Sequence, residues 1–203
     1  DKLEKDKAIL NELLTLVAPV IEDHDLKLKK LLEVLDNKIS SPINDSNRKV
    51  LVFTAFADTA YYLYNALSDK LYANYGVHSA VVTGAKNPST TLENVHADFN
   101  EILTCFSPKS KNRDALFDKN PGEIDILIAT DCISEGQNLQ DCDYLINYDI
   151  HWNPVRIIQR FGRIDRLGSS NSQIQLVNFW PNMQLEEYIN LEQRVSGRMV
   201  LLD

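Results

Sequence analysis

Apolar residues follow two alternating patterns along most of this chain, and the alternation predicts an α/β fold. Stretches with helical spacing of apolar residues separate short, continuous apolar runs of the kind that form strands buried on both faces. Strands that alternate with helices predict a parallel sheet with helices on both faces. The five predicted strands span residues 50–53, 77–82, 124–129, 144–148 and 174–179.

Residues 1–47 are predicted to form a helical lead-in and linker, followed by one α/β domain over residues 48–203. Apolar side chains at helical spacing form one stripe within residues 10–17 and another within residues 28–35. Pro19 is expected to end or kink the first helix, because proline cannot continue the helical hydrogen bonds.

Capping signals place the starts of two helices in the α/β domain. Asp58 is expected to cap a helix that follows the first strand. Thr90 and Glu93 have the spacing of a capping box, which predicts a further helix running to Phe106. Near the end of the chain, residues 184–199 predict a closing helix.

Polar side chains come at or just after the ends of four predicted strands. Ligands of open parallel sheets bind beyond the carboxyl ends of the strands. The order of the chain therefore predicts a polar rim at one edge of the sheet. Its members are Thr54, Thr83, Thr130, Asp131 and Asp149.

The composition is that of one soluble domain of ordinary size: 203 residues, of which 44% are hydrophobic and 25% charged. No apolar run approaches membrane-spanning length and no signal peptide is visible, so no membrane partner is expected. Cys105, Cys132 and Cys142 lack zinc-ligand spacing, which favours reduced thiols in a cytoplasmic protein.

The formal net charge of −8 limits where nucleic acid could bind. A nucleic-acid partner favours a basic patch, so the basic contacts would be local or would lie on a missing part of the protein. The chain begins at Asp1 and its first methionine is Met183, so we expect it to be a piece of something longer.

The stretch Gln159–Arg166 combines an amide with three arginines, and an Asn-Pro pair before it suits a helix start. A helix through this stretch would place Gln159, Arg163 and Arg166 at i, i+4 and i+7, so that all three face one way. Gly162 inside it indicates a close approach of the backbone to another group. Such a set suits a multiply charged oxyanion. A solvated basic surface is the simpler interpretation, but the apolar strands around the stretch and the acidic rest of the chain argue against it.

Three stretches, in chain order, are similar to motifs of the superfamily-two helicases and translocases. Lys49–Phe56 resembles motif IV, Ile126–Leu139 resembles motif V, and Gln159–Arg166 resembles motif VI. Together they resemble the second RecA-like lobe of a bacterial Swi/Snf-type ATPase. The resemblance implies a single RecA-like domain, and three motifs in the right order are more specific than any one alone.

This resemblance implies a nucleotide site shared between two lobes. Arg163 and Arg166 would be arginine fingers for ATP, and Gln159 would lie near the γ-phosphate or the attacking water. Gly136 and Asn138 match positions close to the ribose of the nucleotide. ATP and Mg²⁺ would be bound mainly by a first RecA-like lobe of the same polypeptide.

The resemblance also implies contacts with DNA, expected to be duplex. Thr130 matches a threonine that touches the nucleic-acid backbone, and Thr54 and Thr83 are similar cases at other strand ends. Trp152 lies in His151-Trp-Asn-Pro, which resembles the Trp-Trp-Asn-Pro of Swi/Snf motors. A core tryptophan and a stacking contact with the duplex are both open interpretations of Trp152.

Three charged residues of these motifs are given structural roles. Arg160 lies on the other side of the predicted helix, where a salt bridge is expected. Asp131 and Glu135 are expected to orient arginine side chains, since carboxylates do not favour contact with DNA.

Residues 107–122 break the apolar pattern, and they are either a mobile surface loop or a basic loop near nucleic acid.

The chain lacks a Gly-x-x-x-x-Gly-Lys-[Ser/Thr] phosphate cradle and an Asp-Glu-x-His pattern for Mg²⁺. In the family these parts belong to the first lobe. We therefore expect half an active site: the second motor lobe of an ATP-dependent DNA translocase or helicase-like protein, inactive as an isolated fragment. The alternative is a non-catalytic nucleotide- or protein-binding α/β module of motor ancestry.

Overall fold

The computed structural model of the chain describes five stretches, and it divides into two compact units with the boundary between Asp36 and Asn37. No helix within these stretches is both long and apolar enough to cross a lipid bilayer. The described residues are 2–17, 24–117, 119–133, 136–151 and 153–180.

The first unit is helical, as predicted. Helix α1 spans Lys2–Val17, and helix α2 spans Leu26–Ser40 and so continues past the unit boundary. The two predicted apolar stripes have different environments: α1 has no buried residue, whereas Leu28, Leu31 and Leu35 of α2 are buried. The periodicity of apolar residues therefore predicted helix α1 but not whether its apolar stripe is buried.

A six-stranded sheet organises the second unit. Its order is β3-β2-β4-β1-β5-β6, and every neighbouring pair is parallel except β2 with β3. The predicted α/β fold with a parallel sheet is confirmed. The strands are β1 Val50–Phe53, β2 Ser79–Val82, β3 Ser89–Thr90, β4 Ile126–Ala129, β5 Tyr144–Asn147 and β6 Gln175–Asn178.

Both faces of the central strands are buried, which explains why these strands are continuous apolar runs. Helix α3, Ala57–Tyr75, packs on β2 and β4, and helix α4, Phe99–Phe106, contributes Ile102, Leu103 and Phe106 to a large apolar cluster. Helix α5, Pro154–Phe161, follows β5.

The predicted capping box at Thr90 and Glu93 is wrong. Thr90 lies in β3, where its hydroxyl donates to the carbonyl of Ser79 at 3.0 Å. Helix α4 starts later: the carboxylate of Asp98 accepts from the backbone N–H groups of Asn100 and Glu101, at 2.6 and 3.3 Å. Strand β3 has only two residues and no apolar pattern, so the Thr90–Glu93 spacing predicted a helix start where a strand lies.

The predicted cap of α3 is also wrong. Phe56 occupies the N-cap position and makes no capping hydrogen bond through its side chain. Asp58 lies in the first turn instead, where its carboxylate accepts a hydrogen bond from the ammonium of Lys86 at 2.6 Å. An acidic side chain there still favours the positive end of the helix dipole.

Candidate functional site

The carboxyl ends of the parallel strands lie at the same level, which builds the predicted polar rim. Phe53 of β1 pairs with Ala129 of β4 and Asn147 of β5, and Ala129 also pairs with Val82 of β2. The residues that follow these strand ends therefore share one edge of the sheet. Thr54, Thr83 and Thr130 are the first of them on β1, β2 and β4.

Thr54 and Asp149 connect two neighbouring strand ends. Thr54 is fully buried, and its hydroxyl donates to the carboxylate of Asp149 at 2.6 Å. The backbone N–H of Ala55 donates to the same carboxylate oxygen at 3.2 Å. The Thr54–Asp149 hydrogen bond joins the residues that follow β1 and β5, and the contact of Thr54 with nucleic acid stays a prediction.

A shallow depression lies beyond β1, β2 and β4. Thr130 is partly exposed there, whereas Thr83 is buried and its hydroxyl accepts from the backbone N–H of Lys86 at 3.2 Å. Small side chains keep the backbone of the depression accessible. Its lining is Ala55, Ala57, Gly84, Ala85, Thr130, Asp131 and Cys132.

Arg160 is the main anchor between α5 and the rim. It is fully buried, and its guanidinium forms a fork with Asp131: Nε donates to Oδ1 at 2.7 Å and Nη2 donates to Oδ2 at 3.1 Å. Nη1 donates to Asn147 Oδ1 at 2.8 Å and to the carbonyl of Asp149 at 3.2 Å. The predicted salt bridge of Arg160 and the predicted orienting role of Asp131 are confirmed.

Two further contacts complete this anchor. The guanidinium lies over the ring of Phe53, 4.8 Å from its centroid, which is a cation–π geometry. Asn147 donates through Nδ2 to Asn178 Oδ1 at 2.8 Å, so the anchor extends to β6. The sequence did not identify Asn147; its only signal is an amide at the end of an otherwise apolar strand.

Helix α5 starts as predicted but ends earlier than the predicted arrangement requires. Asn153 Oδ1 accepts from the N–H of Val155 at 3.1 Å, and Pro154 is the first helical residue. The helix ends at Phe161, so Gln159, Arg163 and Arg166 do not share a continuous helical face, and that prediction is wrong. Because a Cβ on Gly162 would lie 3.4 Å from the carbonyl of Ile158, the close approach there is local.

Arg163 and Arg166 lie in the turn after α5. Arg163 is half-buried: its Nε donates to the carbonyl of Gln159 at 3.0 Å and its Nη1 approaches that of Gln137 at 3.5 Å. Arg166 is exposed. The side-chain oxygen of Gln159 is buried, and no donor among the described residues reaches it.

Residues 136–139, in the predicted motif V, pack beside this turn. The N–H of Leu139 donates to the carbonyl of Arg163 at 3.0 Å, which joins the two motifs through the backbone. Gly136 has φ +74°, a conformation that favours glycine. Asn138 Oδ1 accepts from the N–H of Gln140 at 3.3 Å and so stabilises the turn.

His151 borders the start of α5. Its Nδ1 accepts a hydrogen bond from the N–H of Asn153 at 2.9 Å. Burial lowers the pKa of His151, and Asp131 partly offsets that effect. The imidazole therefore favours its neutral form, in which it can accept. Trp152, Glu135 and the predicted closing helix 184–199 lie outside the described residues.

The site can neutralise an anion through guanidinium groups that lie beside an accessible stretch of backbone. Arginine forks match phosphate oxygens in pairs, and Arg163, Arg166 and Gly136 lie in adjacent segments. Within the described stretches, no group of three or more His, Cys, Asp and Glu side chains could hold a metal ion. The guanidinium groups of this turn thus suit the oxygens of a phosphate-like anion.

A family model described as "Helicase conserved C-terminal domain" matches residues 26–168. This range covers most of the chain and includes the rim, α5 and the turn after it.

Curated relatives match over shorter stretches. An uncharacterized ATP-dependent helicase of Bacillus subtilis, YqhH, is 43% identical over 81 residues, which are 40% of this chain and 14% of that protein. DEAD-box ATP-dependent RNA helicase 10 of Arabidopsis thaliana is 38% identical over 91 residues, or 45% of this chain and 19% of that protein. The matched stretches thus cover less than a quarter of these relatives.

Solved structures share the fold at low sequence identity. The C-terminal part of the Fun30 ATPase domain has a TM-score of 0.52 at 18% identity, covering 93% of this chain and 52% of that one. Dbp5 of S. cerevisiae, bound to RNA and ADP BeF3, has a TM-score of 0.51 at 17% identity, covering 83% and 36%.

Proposed function

Because the chain belongs to the helicase conserved C-terminal domain family, we propose that it is the second motor lobe of an ATP-dependent nucleic-acid translocase. In this proposal a first lobe binds ATP and Mg²⁺, and the present chain completes the site. The observation that carries the proposal is the turn after α5: buried Arg160 anchors the helix, and Arg163 and Arg166 follow it beside residues 136–139.

Charge and position give these two arginines their proposed role. Phosphoryl transfer needs positive charge around the γ-phosphate and a positioned nucleophile. Two backbone carbonyls, of Gln159 and Gln137, accept from the Arg163 guanidinium, whereas Arg166 is exposed. Arg163 would meet the nucleotide in a nearly fixed position, and Arg166 would adopt its position when the lobes close. Gln159 and Asn138 would border the phosphates and the ribose.

The depression beyond β1, β2 and β4 is the proposed surface for the nucleic-acid backbone. Thr130 offers a partly exposed hydroxyl there, and Gly84 and Ala85 leave room for a close approach. Hydroxyl and backbone N–H groups suit phosphate contacts, which fix position without reading sequence. The rim therefore supports tracking along a strand irrespective of sequence.

We propose duplex DNA as the substrate, on a Swi/Snf-type motor. RNA is the second candidate, because one curated relative is a DEAD-box RNA helicase and the similar structure of Dbp5 is bound to RNA. The two candidates differ in which polymer stimulates ATP hydrolysis.

The experiment measures steady-state ATPase of the full-length protein with duplex DNA, single-stranded DNA or RNA. We expect duplex DNA to stimulate most, and the 203-residue chain alone to have no appreciable turnover. Thr130→Ala should weaken the stimulated rate more than the basal rate. Stimulation by RNA alone would replace the DNA proposal with the RNA one, and turnover by the isolated chain would contradict the shared site.

A further inference from the structure

The segment Ser107–Phe117, open between a mobile loop and a nucleic-acid contact on sequence grounds, is folded against residues 137–141. The carboxylate of Asp141 accepts from the backbone N–H of Lys109 at 2.6 Å and of Ser110 at 3.0 Å, and also from the Ser110 hydroxyl. The N–H of Lys111 donates to the carbonyl of Ser107 at 3.0 Å. The backbone from Lys109 to Lys111 is thereby fixed.

This fold directs Lys111 onto Gln137. The Lys111 ammonium donates to Gln137 Oε1 at 2.7 Å, although the two residues are 26 positions apart. Lys111 is half-buried, and burial lowers its pKa. No carboxylate within the described stretches lies in ion-pair distance of this ammonium, so the amide of Gln137 is the group that holds it.

Gln137 also contacts the arginine of the proposed nucleotide site. Its backbone carbonyl lies 3.5 Å from Nη1 of Arg163, and the preceding residue is Gly136 with φ +74°. Lys111 and Arg163 therefore meet on one residue, through its side chain and its backbone respectively. A shift of Gln137 would move an acceptor on which the Arg163 guanidinium rests.

We propose that Lys111 is a positioning residue for Arg163: it fixes Gln137, and through Gln137 it fixes the guanidinium before the nucleotide arrives. The inference rests on the proposed function, in which Arg163 meets the γ-phosphate. Groups that stabilise developing charge are most effective when they need no rearrangement during the reaction. The basic segment would then serve ATP hydrolysis from within the lobe, without touching nucleic acid.

The test compares Lys111→Met with Lys109→Met in the full-length protein. Lys109 belongs to the same segment, but its side chain is exposed and has no partner among the described residues, so its variant is the matched control. We expect Lys111→Met to lower kcat on the order of tenfold, with KM for ATP nearly unchanged, because displacement of a catalytic group costs rate rather than affinity. Lys109→Met should leave both constants unchanged.

A double-mutant cycle with Gln137→Met tests the route. If Lys111 acts through Gln137, Lys111→Met should lower kcat no further in the Gln137→Met background. Additive losses would overturn the proposal, and so would a raised KM with unchanged kcat, which would indicate direct contact with the nucleotide. Lys111→Arg keeps a charged donor that can reach Gln137 and serves if Lys111→Met does not fold. A full tenfold loss with Lys111→Arg would also overturn the proposal.

Arg163→Ala separates this inference from the proposed function. Loss of turnover in Arg163→Ala together with normal turnover in Lys111→Met would overturn the role of Lys111 alone. Normal turnover in both Arg163→Ala and Arg166→Ala would remove the proposed function itself.

Discussion

Replacing Arg160 tests whether one buried guanidinium holds the rim together. Arg160→Met keeps an unbranched apolar stem but removes the guanidinium over the Phe53 ring. All four side-chain hydrogen bonds are lost with it, two to Asp131 and one each to Asn147 and the Asp149 carbonyl. The change in stability therefore reports the loss of the buried guanidinium, its hydrogen bonds and its contact with Phe53.

The structure sets the size of the effect. Removing one partner of a buried ion pair costs roughly 3–5 kcal/mol. The side chain of Asp131 is 32% exposed, so water can partly replace the lost donors on that carboxylate. Asn147 is fully buried and would lose the donor to its side-chain oxygen, a cost of about 1–3 kcal/mol. Since these terms overlap, we expect a loss of about 4 kcal/mol in the free energy of unfolding.

Chemical denaturation of the 203-residue chain measures this loss, and Arg166→Ala is the matched control. Arg166 is exposed, so its removal should change stability by less than about 0.5 kcal/mol. A loss below about 1 kcal/mol for Arg160→Met would refute the anchor. A loss as large for Arg166→Ala would show that the turn, and not the fork, determines stability.

Two other predictions concern buried ionisable groups. Lys38 Nζ lies 2.7 Å from Asp143 Oδ1 with both side chains fully buried, so Lys38→Met should cost roughly 3–5 kcal/mol, and Lys38→Met with Asp143→Leu should recover most of it in a denaturation series. Burial raises the pKa of Cys142 from 9.0 to about 12. The unfolded thiol therefore ionises first as pH rises, and the wild-type chain should lose stability above about pH 9 more steeply than Cys142→Ala, by up to about 1.4 kcal/mol per pH unit.

The sequence predicted the sheet because its strands are buried on both faces. Val50–Phe53 and Ile126–Ala129 have no polar residue, because every side chain of these strands is buried. The rim followed from chain order, since parallel strands end at one edge. The Arg160 salt bridge was predicted because Arg160 lies opposite Arg163 on the predicted helix. Arg160 lies within α5, so this prediction did not require the helix to continue to Arg163.

The remaining features depend on contacts that local patterns do not encode. Thr90 has the spacing of a capping box, yet its hydroxyl bonds to Ser79 in a neighbouring strand. The end of α5 before Arg163 depends on the turn at Gly162, where helix propensity and tertiary contacts compete. Lys111 meets Gln137 where Asp141 holds the backbone of the two preceding residues, and no spacing rule predicts that contact.

The central claim is that Arg163 and Arg166 supply positive charge to ATP held on another lobe. Steady-state ATPase of Arg163→Ala and Arg166→Ala in the full-length protein, with saturating nucleic acid, tests it most directly. Removal of an arginine finger lowers turnover by on the order of 10³–10⁵, while melting and nucleic-acid binding should stay near those of the wild type. Near-normal turnover in both variants would mean that the turn after α5 is only a basic surface, and it would contradict the motor assignment.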